Sequence, residues 1–310
     1  MNLPNFFIIG APKAGTTALY DTLKQHPDIY MSPVKEPFFF AFKGEPPIFP
    51  APIGDHIRRV AVWKPAEYAL LFAGVTNQRA IGEASTNYLR SPLAAQRIKQ
   101  SLPQSRIIAI LRQPVERAYS HYTFHLERGF DYRGKTFEEA LAREDACVKE
   151  GWYSGFHKTN GYYHAQLSDW YARFPHEQIK VYLYEDWKNT PQVMLRDLFR
   201  FLEVDEDFAP EIRRSNVTLL PKSRRLHNMA SNSTWIEQFM PFLPTIVRRA
   251  VDSALCSILA KFNLAPPPPL DPEIRARLTE DYREDILKLQ DLIGRDLSHW
   301  LKAPTRGDRL

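Results

Sequence analysis

Cysteine is nearly absent from this chain. Of 310 residues only Cys147 and Cys256 are cysteine, and they stand far apart. Neither a disulfide framework nor a zinc cluster is indicated. Long apolar runs are missing too. The longest apolar region, Met240 to Phe262, is broken by Arg248, Arg249, Asp252 and Lys261, so it does not read as a membrane span. Near the N-terminus the apolar run is only Phe6 to Ile9, behind Pro4 and Asn5, which is not the pattern of a signal peptide. A soluble, cytoplasmic protein is the expectation. There is no Lys/Arg-dense run interleaved with aromatics of the kind a nucleic-acid groove needs, and no internal repeat. A net charge of +5 suits an anionic ligand without demanding nucleic acid.

What is present is a pattern of short apolar strands alternating with helices. With 44% hydrophobic residues the chain can bury one sizeable core, and a single domain over 1–310 is expected. Strands are expected at Asn5–Ile9, Ala80–Glu83, Arg106–Leu111 and Gln178–Tyr184. Helices are expected from about Gly15 to Gln25, at Pro92–Leu102, from Pro114 to about Arg128, from the capping box Thr136-Phe137-Glu138-Glu139, over Gly161–Phe174, and from Thr190-Pro191 to Leu202. Beyond Pro221 the pattern is helical. Ile246, Val247, Ala250, Val251, Ala254, Leu255, Ile258 and Leu259 form one apolar stripe, and a long helix opens at Asp271-Pro272 and ends at Gly294. The Pro-rich stretch Gly44 to Pro65 reads as a long surface loop and a candidate substrate lid. The fully apolar Arg106–Leu111 strand is the pattern of a sheet covered on both faces. The fold class expected is α/β, with a central parallel sheet flanked by helices in three layers and a helical C-terminal part.

The sharpest local feature is Phe6-Phe7-Ile8-Ile9-Gly10-Ala11-Pro12-Lys13-Ala14-Gly15-Thr16-Thr17. An apolar strand enters a glycine-bounded loop that opens a helix at two threonines. Backbone N–H groups at such a helix start face an anion, and the macrodipole favours negative charge there. The stretch nearly matches the nucleotide triphosphatase loop G-x-x-x-x-G-K-[ST], but Lys13 has moved to the crest of the loop. This variant resembles the 5′-phosphosulfate loop of sulfotransferases that use 3′-phosphoadenosine-5′-phosphosulfate (PAPS). The resemblance is to the sulfotransferase domains that modify heparan sulfate and to their bacterial relatives. It runs from Phe6 to about Trp300, strongest in the first third. It implies a P-loop-like sulfotransferase domain, PAPS as co-substrate, adenosine 3′,5′-bisphosphate as product, and no metal. The partner expected is a carbohydrate or small-molecule acceptor, with a homo-oligomer left open.

Sulfuryl transfer needs the phosphates bound, the charge on the leaving phosphate neutralised and the acceptor deprotonated. Lys13 is the candidate cation for the leaving group, a mobile point charge with three donors. Ala14, Gly15, Thr16 and Thr17 complete the loop and helix start. Arg112 ends the Arg106–Leu111 strand and Ser120 lies two turns along the next helix. A guanidinium fork plus a hydroxyl suits a phosphate dianion. Leu111-Arg112-Gln113-Pro114-Val115-Glu116-Arg117-Ala118-Tyr119-Ser120 resembles the family element that grips the 3′-phosphate, with Gln113 where relatives usually carry an acid.

In Lys35-Glu36-Pro37-Phe38-Phe39-Phe40, prolines at 33 and 37 are expected to hold Lys35-Glu36 extended. Glu36, beside the aromatics, is the candidate general base, with a pKa raised by partial desolvation. The segment resembles the one that supplies the glutamate base in heparan-type enzymes. Lys35 is a candidate contact for an acidic acceptor or a solvated loop lysine. Glu83, in Gly82-Glu83-Ala84-Ser85-Thr86-Asn87-Tyr88, matches a second family element lining the acceptor cleft, as an alternative base or a substrate-orienting acid. His121 and His125, four apart, lack a third ligand and read as core or surface histidines. Tyr162 and Tyr163 are candidates for adenine contact or for packing. Lys222, Ser223 and Arg224 fall where the family places a loop closing on PAPS, although the Lys-Gly-Arg pattern of relatives is absent. Two other readings compete: a P-loop nucleotide kinase, weakened by the displaced lysine and the lack of a strand-then-Asp element for Mg²⁺, and a non-catalytic nucleotide-binding module.

Overall fold

Phe6 to Ile9 carry no polar side chain, and every one of them is buried in the first strand, β1 (Phe6–Gly10). The computed structural model describes residues 2–42, 44, 57, 60–128, 136–149, 155–212, 219–221 and 264–302. Four further strands join β1: β2 (Ile29–Met31), β3 (Ala80–Ala84), β4 (Arg106–Leu111) and β5 (Ile179–Leu183). All pair in parallel, in the order β2-β3-β1-β4-β5. β1 is therefore central. The chain leaves it for β2 and β3 on one side and crosses to β4 on the other, so its carboxyl end opens at a topological switch point. Open α/β sheets bind ligands in that crevice.

Local chemistry explains the element boundaries. The helix α1 (Thr16–Leu23) begins after Gly15, which sits at φ 92. The helices α2 (Phe39–Phe42) and α3 (Pro65–Leu70) were not legible as helices, the first because its run is aromatic and short. Ser91 accepts the Ala94 N–H at the start of α4 (Pro92–Ser101). α5 (Pro114–Arg128) starts at its proline, and the Thr136–Glu139 capping box opens α6 (Phe137–Ala142), which α7 (Glu144–Lys149) follows. The helix expected from Gly161 is split. A 3₁₀ turn at Thr159–Gly161 precedes α8 (Tyr163–Tyr171). The strand expected to reach Tyr184 stops at Leu183, because Asp186 accepts the Leu183 N–H at 2.9 Å and turns the chain into α9 (Tyr184–Asn189). α10 (Pro191–Leu202) follows. Asp271 caps α11 (Pro272–Ile293), and Gly294 ends it at φ 62, as the sequence indicated.

The chain divides into two compact units. The larger comprises Met1–Tyr122, Arg133–Ser215 and Leu270–Leu310 and contains the parallel sheet. The smaller comprises Thr123–Tyr132 and Asn216–Pro269, and in it Leu220–Pro221 pairs antiparallel with Leu264–Ala265. The apolar stripe 246–259 and most of the Gly44–Pro65 stretch lie outside the described residues. No described helix is long and apolar enough to cross a membrane.

Candidate active site

The loop after β1 is shaped by close approach on both sides. Ala11 N donates to Ile110 O at 2.7 Å, so the loop leaves the sheet still tied to β4. Lys13 adopts a left-handed backbone, φ 69, and Gly15 another, φ 92. A side chain at 15 would also stand 3.3 Å from the Tyr184 ring. At Gly10 a Cβ would lie 2.7 Å from Leu89 Cβ and 3.1 Å from Thr86 O. Only glycine lets the β1 end pack so tightly against residues 86–89. No side chain caps the start of α1, so its first N–H groups are left to the concave side of the loop. Thr16 is buried there and Thr17 half-buried.

Arg112 lies across the loop. It follows β4, its side chain is 17% exposed, and its Nη1 donates to the Lys13 carbonyl at 3.3 Å. The guanidinium carbon stands 5.0 Å from the centre of the Tyr184 ring, and Nη2 lies 3.9 Å from a Glu116 oxygen. The Arg112 carbonyl accepts the Tyr163 hydroxyl at 2.8 Å, which gives that buried tyrosine a structural task. Gln113, the departure from the family pattern, accepts the Glu116 N–H at 2.7 Å and donates to Trp300 O at 3.1 Å. It caps α5 and ties it to the C-terminal region. Ser120 stands half-buried on the same helix. Tyr184 touches both Gly15 and Arg112, and sequence reasoning missed it because it read as the last residue of a strand.

On the other flank, Glu36 departs from the extended backbone expected of it. Its φ is 63, and that of Phe38 is 55. A specific set of bonds outweighs the pre-proline preference. Glu36 N donates to Ala84 O at 2.9 Å. Its carboxylate accepts the Thr86 N–H at 2.9 Å, the Thr86 hydroxyl at 2.9 Å and Lys35 Nζ at 3.0 Å. Thr86 is the same residue whose carbonyl faces Gly10. The Glu36 side chain, 23% exposed, is thus pinned beside the end of β1. Lys35 faces that carboxylate.

Glu83 is inside, with no exposed surface. It accepts the Ser85 hydroxyl at 2.7 Å and the Tyr68 hydroxyl, and the Tyr88 hydroxyl lies beside it. Burial pushes its pKa up to about 7; the three hydroxyls hold it back, and the Glu36 charge adds to the rise. Burial and the Glu83 charge also push both tyrosines well above the ordinary phenol range, so they stay protonated donors.

His121 and His125 are buried, and His121 Nδ1 lies 3.0 Å from His157 Nδ1. Tyr162 packs edge-on to Tyr282, ring centres 5.0 Å apart. Lys222, Ser223 and Arg224 lie outside the described residues.

Residues 3–241 match the Sulfotransferase domain family. The chain belongs to that family. Among solved structures, a sulfotransferase from Alicyclobacillus acidocaldarius superposes with a TM-score of 0.75 at 30% identity, covering 97% of this chain and all of that one. This sulfotransferase is also 26% identical to the membrane-associated sulfotransferase kil1 of Dictyostelium discoideum, over 69% of this chain and 59% of that protein. It is 27% identical to carbohydrate sulfotransferase 15 of Mus musculus, over 65% and 44% of the two chains. With the mouse bifunctional heparan sulfate N-deacetylase/N-sulfotransferase 4 it shares 24% identity, over 97% of this chain and 31% of that protein. It therefore spans between about a third and three-fifths of the length of these relatives.

Proposed function

We propose that this sulfotransferase moves a sulfuryl group from PAPS to a hydroxyl or amine of a carbohydrate acceptor. One observation carries the reading. The anion loop is bracketed by Arg112 on the β4 side and by Glu36, held by Thr86, on the β3 side. Phosphate receptor and carboxylate thus flank the end of β1 from opposite sides, across a loop that suits a 5′-phosphosulfate.

In the reaction the acceptor oxygen or nitrogen forms a bond to sulfur as the bond from sulfur to the phosphate oxygen breaks. The acceptor proton passes to the Glu36 carboxylate, and adenosine 3′,5′-bisphosphate leaves. Lys13, at the crest of the loop, neutralises charge growing on the departing phosphate, aided by the α1 N–H groups and the threonine hydroxyls. Arg112 and Ser120 hold the 3′-phosphate. Two relatives are named for carbohydrate chemistry, one of them for heparan sulfate, which supports a sugar acceptor.

Calorimetry with PAPS and with ATP plus Mg²⁺, followed by transfer of labelled sulfate to de-N-acetylated heparosan (a polymer with free amines and hydroxyls), tests the reading. PAPS should bind and ATP should not, and label should enter the polymer. ATP binding with phosphate transfer would replace the sulfotransferase assignment with the kinase one.

A further inference from the structure

Residues 38, 39 and 40 are held one by one. Phe38 N donates to Ser85 Oγ at 3.1 Å, and Phe40 N donates to the Tyr88 hydroxyl at 3.0 Å. The Phe39 ring stacks on Tyr68, centres 4.0 Å apart and planes 10° from parallel. Ser85 and Tyr68 are the residues whose hydroxyls donate to Glu83, and the Tyr88 hydroxyl stands beside it. We propose that Glu83 is a positioning residue for Glu36, acting through the Ser85 and Tyr68 hydroxyls on the segment that presents the base.

The physical reason lies in where each hydroxyl proton points. A hydroxyl has one proton and two lone pairs. Because Ser85 gives its proton to Glu83, its lone pairs are turned toward the Phe38 N–H group. Glu36 and Phe38 both have left-handed backbone, which L-residues keep only when the surroundings over-determine it. Glu36 itself is fixed by Ala84 and Thr86, on the same β3 extension that carries Glu83. A buried carboxylate that orders two donors does what a hydrophobic residue of that size cannot. The network fixes the turn instead of merely filling space. Glu83 has no exposed surface, so it acts behind Glu36 and not on the acceptor.

The proposal rests on Glu36 being the base, and the test separates the two claims. Hydrogen exchange at the Phe38 and Phe40 amides of the full chain is measured alongside turnover on de-N-acetylated heparosan, in Glu83→Gln, Ser85→Ala, Glu36→Gln and their combinations. Glu83→Gln and Ser85→Ala should each speed Phe38 exchange by about tenfold or more. Each should lower kcat about tenfold or more while KM for PAPS moves less than about twofold, and neither should cost anything further in a Glu36→Gln background. Ser85→Ala removes only the relay atom, so it decides the matter if Glu83→Gln does not fold. Unchanged Phe38 exchange, or a kcat loss that multiplies with that of Glu36→Gln, would overturn the positioning role. Wild-type turnover in Glu36→Gln would overturn the base assignment instead, and the exchange data would still say whether Glu83 holds the segment.

Discussion

The Arg112 guanidinium donates to the main-chain carbonyl of Lys13, so the residue assigned to the 3′-phosphate also braces the crest of the 5′ loop. On the proposed assignment, both ends of the nucleotide would be read by one connected piece of structure. Arg112→Ala should therefore erase the preference for PAPS over adenosine 5′-phosphosulfate, which a charge-assisted contact should set at about 2–4 kcal/mol. Calorimetry with the two nucleotides on both proteins checks this. A preference that survives the substitution would move the 3′-phosphate elsewhere.

Lys13→Ala should separate turnover from binding. Charge on the leaving oxygen grows in the transition state, so kcat should fall by roughly 10²–10³ while PAPS affinity changes little. Activity of the wild type should persist in excess chelator, since no step is assigned to a metal. A Lys13→Ala enzyme with normal kcat and weak PAPS binding would make the lysine a ground-state contact.

Glu36→Gln retains the volume of the side chain and one oxygen that can accept the Thr86 N–H, but it cannot take a proton. Turnover on de-N-acetylated heparosan should drop by roughly 10²–10⁴, with nucleotide affinity nearly constant. Steady-state kinetics with matched calorimetry reads both quantities.

Gly82→Ala tests packing rather than chemistry. A Cβ there would stand 2.1 Å from Phe6 Cζ in the neighbouring strand, with both residues buried in the sheet. Overpacking of this kind should cost about 1–3 kcal/mol or more, seen as a lower urea midpoint. Gly15→Ala should instead lose PAPS binding more than stability, because φ 92 and the Tyr184 ring shape the loop and not the core.

The buried Glu83 also predicts how stability depends on pH. Its folded pKa, about 7, lies above the ordinary glutamate value, so between the two the folded state binds more protons than the unfolded state. Stability from this group is thus fullest at acid pH, falls as pH rises toward 7, and levels off above it. Glu83→Gln removes that dependence. The melting temperature of the variant relative to wild type should rise between pH 5 and pH 8, and a difference that does not vary with pH would contradict the raised pKa.

The Phe6–Thr17 loop and the Arg106–Pro114 strand end were legible in the sequence because their determinants are contiguous. Apolar runs make a buried strand, a glycine permits φ 92, and a proline starts a helix, each within a few residues of the group it positions. The capping box at Thr136 and the stop at Gly294 were readable for the same reason. Glu36 and Glu83 were legible as carboxylates but not in their geometry. The left-handed turn at Glu36 exists because Thr86, fifty residues away, supplies two donors that no local propensity could reveal. Glu83 follows Gly82 at the end of a strand whose faces the sequence does not assign. Tyr68 and the Phe38–Phe40 run, both distant in the chain, close over it and remove its water. Local sequence chose the loops and their functional groups. Parallel pairing of β1, β3 and β4 decided which groups meet, because hydrogen bonds between distant segments and the exclusion of water arise only once the chain has packed.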